Sequence, residues 1–488
     1  MIKPLPPPSA TGVRIAGDRY QWLIAWHGCV TALRDQLTGE PNSVVKVGVE
    51  VDGVGNLDDV VLYRRRPPHT YMQVKYTVDS STPVNAAYLT TSTDRGGPSI
   101  LSKIATSWRT LAQAGDPVEL GFISNRAPDP SDPLIASRDA RTGLLLPQGA
   151  NGGPRSRRGR ARAEWAAAAG LTEPDLLELL AVLHFDLARD PAHLHELVSL
   201  TMLVSGLRAD PAAVAAGADW VAQQVRDGRR DLDLDDVRQA IDELQLDAGP
   251  VRTVVSIATL KPDPLAHQAH HALDWVDRFD GNDAYNKRRP KPPFTWADFQ
   301  NEIESLPAHL GGSASIVITG SLRQATAFAV GAALRMVTNT DLAIVQRGQL
   351  WSSDTMYRTP TIPAITGHDL GLGPGLGVAV EVATPITTDV LSFVHDLQLP
   401  IGRLITITPP SGPRDSAVKG PDDACALAVG IRDVVRREVR GYGHVHLFLA
   451  GPMGLALLLG HRWNRVAPTT IYEDLQSDGY DAAFTITA

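Results

Sequence analysis

The segment HLFLAGPMGLA, residues 446–456, decides how the second half of the chain folds. It begins as an apolar run suited to a buried strand, turns at Gly451-Pro452, and continues with residues that favour a helix. The segment IVITGSLR, residues 316–323, has the same order. A strand that leads into a helix is the unit of an α/β fold, and the free N–H groups at the helix start suit an anion. The pair therefore predicts an α/β fold with anion sites at these turns, where Arg323 is placed to bind a phosphate. Either segment alone is also typical of an ordinary strand-to-helix turn.

Strand-like and helix-like segments alternate through the rest of the C-terminal half. The predicted strands are 315–319, 342–346, 377–382, 403–408, 444–449, 469–473 and 483–487, and the predicted helices are 321–337, 422–437 and 452–459. This alternation predicts a mainly parallel, doubly wound sheet whose ligand lies at the carboxyl ends of the strands. Trp351 follows one of these strands near that edge, where it would either stack on a base or belong to the core or a lid.

The composition of the 488 residues is that of a globular chain, with 43% hydrophobic and 20% charged residues. A chain of this length is expected to form two or three domains. Its two cysteines, Cys29 and Cys425, are far apart and cannot build a disulfide framework or a cysteine zinc site, which favours a reducing cytoplasm. The first ten residues lack the apolar core of a secretory signal, and no apolar stretch is long enough to span a membrane. We therefore expect a soluble, cytoplasmic protein.

The formal net charge of −8 argues against a chain that binds DNA over its whole surface. Contact with nucleic acid would come from local basic patches, which occur at 64–66, 155–162 and 287–291. Each patch alone is also typical of a solvated loop, and the second lies in a stretch, 128–162, whose Pro, Gly, Asp and Arg content predicts a loop. The residues predicted to contact DNA are Arg155, Arg157, Arg158, Arg160 and Arg162.

Residues 12–126 have an α/β pattern that brings acidic, amide and basic side chains together. The segment LDDVVL places Asp58 and Asp59 at the head of a strand, and QVK in the next strand supplies Gln73 and Lys75. Because side chains alternate along a strand, this glutamine and lysine share one face. Phosphodiester hydrolysis needs a divalent metal and a group that stabilises the developing charge, and Mg²⁺ prefers oxygen ligands. The pattern therefore indicates a candidate site for metal-dependent hydrolysis.

The order of an acidic residue, a hairpin and Gln-x-Lys resembles the PD-(D/E)xK nuclease superfamily, and the Gln-x-Lys variant resembles its Mrr-like restriction endonucleases. The resemblance implies a restriction-endonuclease-like domain that cleaves DNA with Mg²⁺ or Mn²⁺. It implies that Asp58 or Asp59 binds the metal and that Gln73 lies beside it. Lys75 would orient the attacking water or stabilise the phosphate in the transition state.

Two further residues bear on the number of metal ions. Glu50 ends the preceding strand and is a candidate second carboxylate ligand. Gln21 occupies the position in the first helix where some members of the superfamily carry a metal-binding glutamate. An amide is a weaker ligand than a carboxylate, which argues against a second metal. The choice between Asp58 and Asp59 stays open, with Asp59 closer to the strand.

The C-terminal segments, in their order and spacing, resemble a SAVED domain. The resemblance is carried by the two segments quoted first together with 328–332, 346–354, 471–473 and 483–485. SAVED domains are relatives of CARF sensors, so it implies a CARF-like fold that binds a cyclic di- or trinucleotide made by a partner nucleotidyltransferase. Fusion of a SAVED domain to an Mrr-like nuclease is the layout of effector endonucleases in CBASS antiphage defence. The predicted ligand-binding residues are Gly320, Ser321, Arg323, Gln346, Trp351, Gly451 and Pro452.

These observations predict a nuclease domain at 1–250, a junction at 251–290 and a SAVED domain at 291–488. Within the first domain, 12–126 is the catalytic core and 163–246 is almost wholly helical. The expected protein is an endodeoxyribonuclease that cleaves double-stranded DNA once its ligand binds and promotes homo-oligomerisation. The rival interpretations are a ligand-sensing adaptor with an inactive nuclease-like domain and a stand-alone restriction endonuclease.

Overall fold

The computed structural model of the chain describes residues 9–92, 96–113, 115–139, 142–145, 147–283, 286–336 and 340–487. The chain divides into two compact units, Met1–Val251 and Arg252–Ala488. Both units are mixed α/β structures, which confirms the predicted fold class. In the described ranges no helix is long and apolar enough to cross a membrane.

The first unit contains one sheet between two layers of helices. Its helices are α1 (Ala10–Thr38), α2 (Ala86–Thr90), α3 (Ile100–Ala112), α4 (Pro147–Ala150), α5 (Arg157–Ala169), α6 (Glu173–Leu180), α7 (Pro191–Val204), α8 (Pro211–Arg226) and α9 (Leu234–Glu243). Its strands are β1 (Val44–Val49), β2 (Val60–Arg64), β3 (His69–Lys75), β4 (Val118–Ser124), β5 (Leu183–Asp186) and β6 (Asp231–Asp233). The strand order is β5-β4-β3-β2-β1-β6, with β1, β2 and β3 antiparallel and β3, β4 and β5 parallel.

The two faces of this sheet are buried under different helices. One apolar cluster joins the sheet to α1, α7, α8 and α9 and includes Met72 and Val74 of β3. The other joins it to α3, α5 and α6 and includes Tyr71 of the same strand. Since successive side chains point to opposite faces, Gln73 and Lys75 lie on the α3 and α5 side.

Two predictions for the first unit are wrong in detail. The segment 163–246 is not almost wholly helical, because it also supplies β5 and β6 to the sheet. Both strands are too short to show a period in the sequence, and only their pairing partners define them. The segment 128–162 is not one loop, because α4 and the start of α5 lie in it. Ser156 caps α5 by accepting a hydrogen bond from the N–H of Gly159 at 3.0 Å.

The second unit contains two sheets, whereas the sequence predicts one. Its helices are α10 (Trp296–His309), α11 (Gln324–Ala333), α12 (Thr387–Asp396), α13 (Pro421–Glu438) and α14 (Met453–His461). Its strands are β7 (Thr253–Ala258), β8 (His271–Asp274), β9 (Ser315–Thr319), β10 (Asp341–Gln346), β11 (Gln349–Ser352), β12 (Ala364–Asp369), β13 (Gly375–Glu381), β14 (Ile401–Thr408), β15 (His444–Ala450), β16 (Thr469–Asp474) and β17 (Tyr480–Ile486). The sheets have the orders β11-β10-β9-β7-β8 and β12-β14-β13-β15-β16-β17, and each has parallel central strands. Alternation of strands and helices is a local property and does not show which strands pair.

The segment 251–290 was predicted to be a junction, but from Arg252 onward it belongs to the second unit. It supplies β7 and β8, and β7 pairs in parallel with both β8 and β9. Val254, Val255 and Ile257 of β7 are fully buried. These apolar residues require a place inside a sheet, which a connecting segment would not provide.

Helices α11 and α14 pack against each other at unusually short range. A Cβ added at Gly331 would lie 2.1 Å from the carbonyl oxygen of Leu457, and one added at Gly460 would lie 2.0 Å from that of Phe328. Two glycines that face each other in this way let the helix backbones touch. The contact brings the first turns of both helices to the same end of the unit.

We expect Gly460→Ala to destabilise the protein, because the added methyl group would push apart two helix backbones that cannot yield as a side chain can. The expected loss is about 1–3 kcal/mol in the free energy of unfolding. Thermal denaturation of purified protein measures it. Gly443→Ala is the matched control, since nothing lies within 4 Å of the position of its Cβ. Equal melting temperatures for the two variants would contradict the close helix contact.

Candidate functional site

The ends of β2 and β3 bring Asp59 and Gln73 into direct contact. Asp59 is the residue before β2, and its Oδ2 accepts hydrogen bonds from the Nε2 of Gln73 and, at 2.7 Å, from the N–H of Val74. The side chain of Gln73 is buried. Of the two aspartates that the sequence left open, Asp59 is therefore the one that contacts Gln73. The carbonyl oxygen of Asp58 accepts a hydrogen bond from the N–H of Val51 at 3.0 Å.

The charge of Lys75 affects the pKa of Asp59. Burial raises the pKa of Asp59 above its usual value, and the charge of Lys75 is the largest effect that lowers it. The hydrogen bonds from Val74 and Gln73 lower the pKa further, and the charge of Asp58 raises it. A partly buried carboxylate favours a bound cation, and the neighbouring lysine favours a phosphate.

Gln21 and Glu50 both adjoin this site through the main chain of Asp59. The carbonyl oxygen of Asp59 accepts hydrogen bonds from the Nε2 of Gln21 at 3.1 Å and from the N–H of Glu50 at 3.3 Å. Glu50 itself is exposed and has a positive φ of 52°. In the described part of the chain no group of three or more His, Cys, Asp or Glu side chains is arranged to hold a metal ion. A metal ion bound at Asp59 would therefore have few protein ligands.

A connected set of hydrogen bonds holds the edge of the sheet around Lys75. Ser124 of β4 is the pairing partner of Lys75, and its carbonyl oxygen accepts a hydrogen bond from the N–H of Arg189 at 3.1 Å. The side chain of Asn125 accepts a hydrogen bond from the N–H of Thr77 at 3.0 Å and donates one to the carbonyl oxygen of Thr77 at 2.6 Å. Asn125 is not among the site residues predicted from the sequence. The feature of the sequence that marks it is the strand-like run 120–126, which ends at this residue and Arg126.

Most of the basic patch 155–162 lies in the first turns of α5, and Arg155 lies just before the helix. Its exposed members are Arg155, Arg157, Arg158 and Arg160. The prediction that Arg162 contacts DNA is not supported by its surroundings. Its Nε lies 2.8 Å from Glu173 Oε2, and its two terminal nitrogens donate to the carbonyl oxygens of Ala150 and Gly152 at 2.7 and 3.2 Å. Arg162 therefore ties α5 to the neighbouring segments.

In the second unit the two predicted turns lie side by side at the starts of α11 and α14. The N–H of Gly451 donates to the Oε1 of Gln324 at 3.2 Å, and the N–H of Leu322 contacts the sulfur of Met453 at 3.3 Å. Gly320 has a φ of +97°, and a Cβ there would lie 2.2 Å from the carbonyl oxygen of Ile257. The turn therefore requires glycine. The hydroxyl of Ser321 exchanges hydrogen bonds with the main chain of Lys261 at 3.0 Å.

A buried carboxylate occupies the start of α11. The Oε2 of Glu473 accepts a hydrogen bond from the N–H of Ala325 at 3.2 Å, and its Oε1 lies 4.0 Å from the Nε of Arg323. That Nε also donates to the carbonyl oxygen of Lys287 at 2.7 Å, and the Arg323 side chain is 11% exposed. Burial raises the pKa of Glu473 to about 7, and the charge of Arg323 opposes the rise. Arg323 is thus at the predicted helix start, but it faces an anion within the protein.

The start of α14 is also occupied by protein groups. The Oε1 of Gln346 accepts a hydrogen bond from the N–H of Gly454. Trp351 is 1% exposed and belongs to the apolar core, and a Cβ at Gly454 would lie 2.6 Å from its ring. The core interpretation of Trp351 therefore applies, and the base-stacking one does not. Gln324, Gly451 and Pro452 line a small apolar cleft beside this helix start.

Comparison with known proteins identifies the family of the second unit. Residues 299–486 match the model of SAVED, the SMODS-associated and fused to various effectors sensor domain. The chain is similar to CD-NTase-associated protein 4 of Enterobacter hormaechei subsp. hoffmannii (strain UCI 50), with 22% identity over 468 residues. That alignment covers 88% of this chain and 90% of the relative.

Solved structures of Cap4 SAVED/CARF-domain containing receptors match the whole chain at low scores. The receptor of Acinetobacter baumannii with the cyclic trinucleotide 2'3'3'-cAAA is 14% identical, with a TM-score of 0.42 over 99% of this chain and 100% of that one. The receptor of Moraxella osloensis is 15% identical, with a TM-score of 0.41 over 97% and 99% of the two chains. The match to the SAVED model confirms the resemblance that the C-terminal segments carry. The chain therefore carries a match to the SAVED sensor domain at residues 299–486, within its second unit.

Proposed function

We propose that this SAVED effector is a metal-dependent endonuclease that cleaves double-stranded DNA when its sensor binds a cyclic oligonucleotide in CBASS antiphage defence. The observation that carries the nuclease half is the contact of Asp59 with Gln73, beside the charge of Lys75. The sensor half rests on the SAVED match, and the similarity to CD-NTase-associated protein 4 over most of the chain supports their combination.

The residues around Asp59 suit a hard divalent cation. Asp59 and Gln73 supply a carboxylate and an amide oxygen, and Mg²⁺ is commonly held by one or two carboxylates together with substrate oxygens. When bound there, Mg²⁺ or Mn²⁺ would act as a Lewis acid on the phosphate and activate the attacking water. Lys75 would stabilise the negative charge that develops on the phosphate, and Gln21 would hold the strand end that carries Asp59.

The sensor domain would bind its ligand at the adjoining starts of α11 and α14. N–H groups at helix starts and a nearby arginine are suited to phosphates, which a cyclic di- or trinucleotide from a partner nucleotidyltransferase presents. The N–H groups of Ala325, Gly451 and Gly454 already donate to the side chains of Glu473, Gln324 and Gln346, so a phosphate would have to displace these side chains. The main chain at Gly320, Ser321, Gly451 and Pro452, with Arg323 and Gln346, makes up this proposed site. A ligand switches the nuclease only if it binds the active state more tightly, and we propose that this state is a homo-oligomer.

A cleavage assay on the full chain tests the proposed function. Plasmid DNA is incubated with Mg²⁺ or Mn²⁺ and a panel of cyclic di- and trinucleotides that includes 2'3'3'-cAAA and 3'3'3'-cAAA. We expect double-strand breaks with one class of ligand and none without ligand or with EDTA. Ligand binding without cleavage would indicate an adaptor with an inactive nuclease-like domain, and cleavage without any ligand would indicate a stand-alone restriction enzyme.

Replacing Arg155, Arg157, Arg158 and Arg160 by alanine should weaken DNA binding and flatten its salt dependence. Each lost phosphate contact should reduce the slope of log K against log salt by about 0.9. Fluorescence anisotropy with labelled duplex DNA, Ca²⁺ in place of Mg²⁺ and several salt concentrations measures the slope. Arg162→Ala is the comparison, since it should lower the melting temperature and leave the slope unchanged. If the salt slope is unaltered in the fourfold variant, the patch is a solvated helix start that does not contact DNA.

A further inference from the structure

A second arginine follows the strand that pairs with Lys75. Arg126 lies two residues beyond Ser124, whose pairing partner is Lys75. Phe122 and Tyr71 belong to the cluster on the α3 and α5 side, so alternation places Ser124 and Lys75 on that side as well. Arg126 packs over Tyr88, which lies against the same cluster. Arg126 and Lys75 are therefore at the same edge and on the same face of the sheet.

The guanidinium of Arg126 is held in place by an aromatic ring and a main-chain carbonyl group. It lies 5.0 Å from the centre of the Tyr88 ring, and one terminal nitrogen donates to the carbonyl oxygen of Thr82 at 2.6 Å. The carbonyl oxygen of Arg126 accepts a hydrogen bond from the N–H of Ala188 at 2.8 Å. Both side-chain partners are neutral. A fixed guanidinium loses little conformational entropy when it binds an anion.

The charge of Arg126 affects the pKa of a nearby carboxylate, that of the exposed residue Asp79. Hydrogen bonds from Ser81 lower the pKa of Asp79, and the charge of Arg126 makes a smaller contribution to the same shift. An exposed carboxylate in solvent interacts only weakly with a neighbouring cation, so Asp79 leaves Arg126 able to attract a phosphate.

The edge continues from Arg126 to the start of α5. The N–H of Val84 donates to the carbonyl oxygen of Ala127 at 2.8 Å, and the N–H of Asp129 donates to that of Val84 at 3.0 Å. Arg157 then donates to the carbonyl oxygen of Ser131 at 3.2 Å. The segment 127–131 therefore links Arg126, at the same sheet edge as Lys75, to Arg157 at the start of α5. Cations at both places suit successive phosphates of one DNA strand.

We propose that Arg126 is a further DNA-binding residue, which contacts a backbone phosphate next to the one at Lys75. This inference rests on the proposed nuclease function and adds a contact that fixes the register of the DNA strand on the sheet edge. Arg126 is assigned to binding and not to the chemical step, because its position is beyond the residues that surround Asp59.

Arg126→Ala and Arg126→Met test the contact, and the second variant keeps packing against Tyr88 while removing the charge. Duplex DNA binding in Ca²⁺ should weaken about tenfold or more, with a salt slope reduced by about 0.9. With activating ligand and Mg²⁺, the loss should appear in KM with kcat nearly unchanged. Arg126→Lys should recover part of the affinity, because a lysine keeps the charge without the planar fork.

Arg109→Ala is the matched control, because Arg109, like Arg126, donates to one main-chain carbonyl, that of Gly170 at 2.6 Å, and is itself exposed. Gly170 caps the end of α5 that is opposite to Arg157. This control should bind and cleave DNA like the wild type. If Arg126→Met binds DNA with wild-type affinity and a wild-type salt slope, the inference about Arg126 is wrong. The nuclease proposal still stands in that case, provided that the wild type cleaves DNA when its ligand is present. Failure of the wild type to cleave would overturn the proposed function, whatever the Arg126 variants show.

Discussion

Lys75→Ala should abolish DNA cleavage and leave the fold and the ligand affinity intact. The lysine is half-buried, its charge acts on Asp59, and its side chain belongs to neither apolar cluster of the first unit. Loss of a group that stabilises transition-state charge should reduce the rate of cleavage at least about a hundredfold. Plasmid cleavage at saturating ligand and Mg²⁺ gives the rate, and calorimetry gives the ligand affinity.

Lys46→Ala is the control for this first prediction. Lys46 lies on β1 of the same sheet, where its Nζ is 3.0 Å from Asp231 Oδ2 and 4.2 Å from the centre of the Tyr63 ring. Removing it deletes an equal charge from the same sheet without touching Asp59, so cleavage should stay near the wild-type rate. If Lys75→Ala cleaves as fast as Lys46→Ala, the assignment of the catalytic site to Asp59, Gln73 and Lys75 is wrong.

Arg323→Ala should lower both ligand affinity and stability. A phosphate at the start of α11 would lose its nearest predicted cation, which should weaken binding by about ten- to a hundredfold. The substitution also removes the larger of the two arginine charges that act on the buried carboxylate of Glu473, the other being Arg288, and breaking a buried pair costs at most about 3–5 kcal/mol. Calorimetry with the activating cyclic nucleotide and denaturation without it measure the two effects.

The double variant Arg323→Ala with Glu473→Gln separates these two causes. It removes both charges, so stability should recover, and a ligand affinity that stays low would then belong to a direct contact with Arg323. Full recovery of affinity would show that Arg323 acts only by balancing Glu473. Glu381→Gln is the matched control for the Glu473→Gln substitution. Glu381 is also buried, and it accepts hydrogen bonds from the N–H groups of Ile386 and Thr387 at 2.8 and 2.6 Å.

The raised pKa of Glu473 gives the pH dependence of its contribution to stability. The folded protein holds this proton more tightly than the unfolded chain, since the pKa rises from 4.5 to about 7 on folding. The free energy of unfolding therefore falls as the pH rises between these values and is constant above them. Glu473→Gln removes this dependence, so its stability relative to the wild type should increase from pH 4.5 to pH 7.

Local patterns in the sequence predicted the parts of the molecule that depend on local geometry. The shared face of Gln73 and Lys75 follows from the alternation of side chains along one strand, and the strand-turn-helix segments around Gly320 and Gly451 are present as predicted. The resemblance to the SAVED family, carried by such segments in order, is confirmed by the family match. The roles of these residues in cleavage and ligand binding remain predictions.

The tertiary structure alone decided which distant groups meet, because pairing and burial depend on contacts that leave no period in the sequence. It joined Asp59 and not Asp58 to Gln73, placed Trp351 in the core and divided the predicted single sheet of the second unit into two. Glu473 and Arg323 are 150 residues apart in the chain, and the carboxylate reaches the helix start only because β16 ends beside α11. Composition and local spacing determined the fold class and the chemistry available, whereas the free energy of burying each polar group selected its partner.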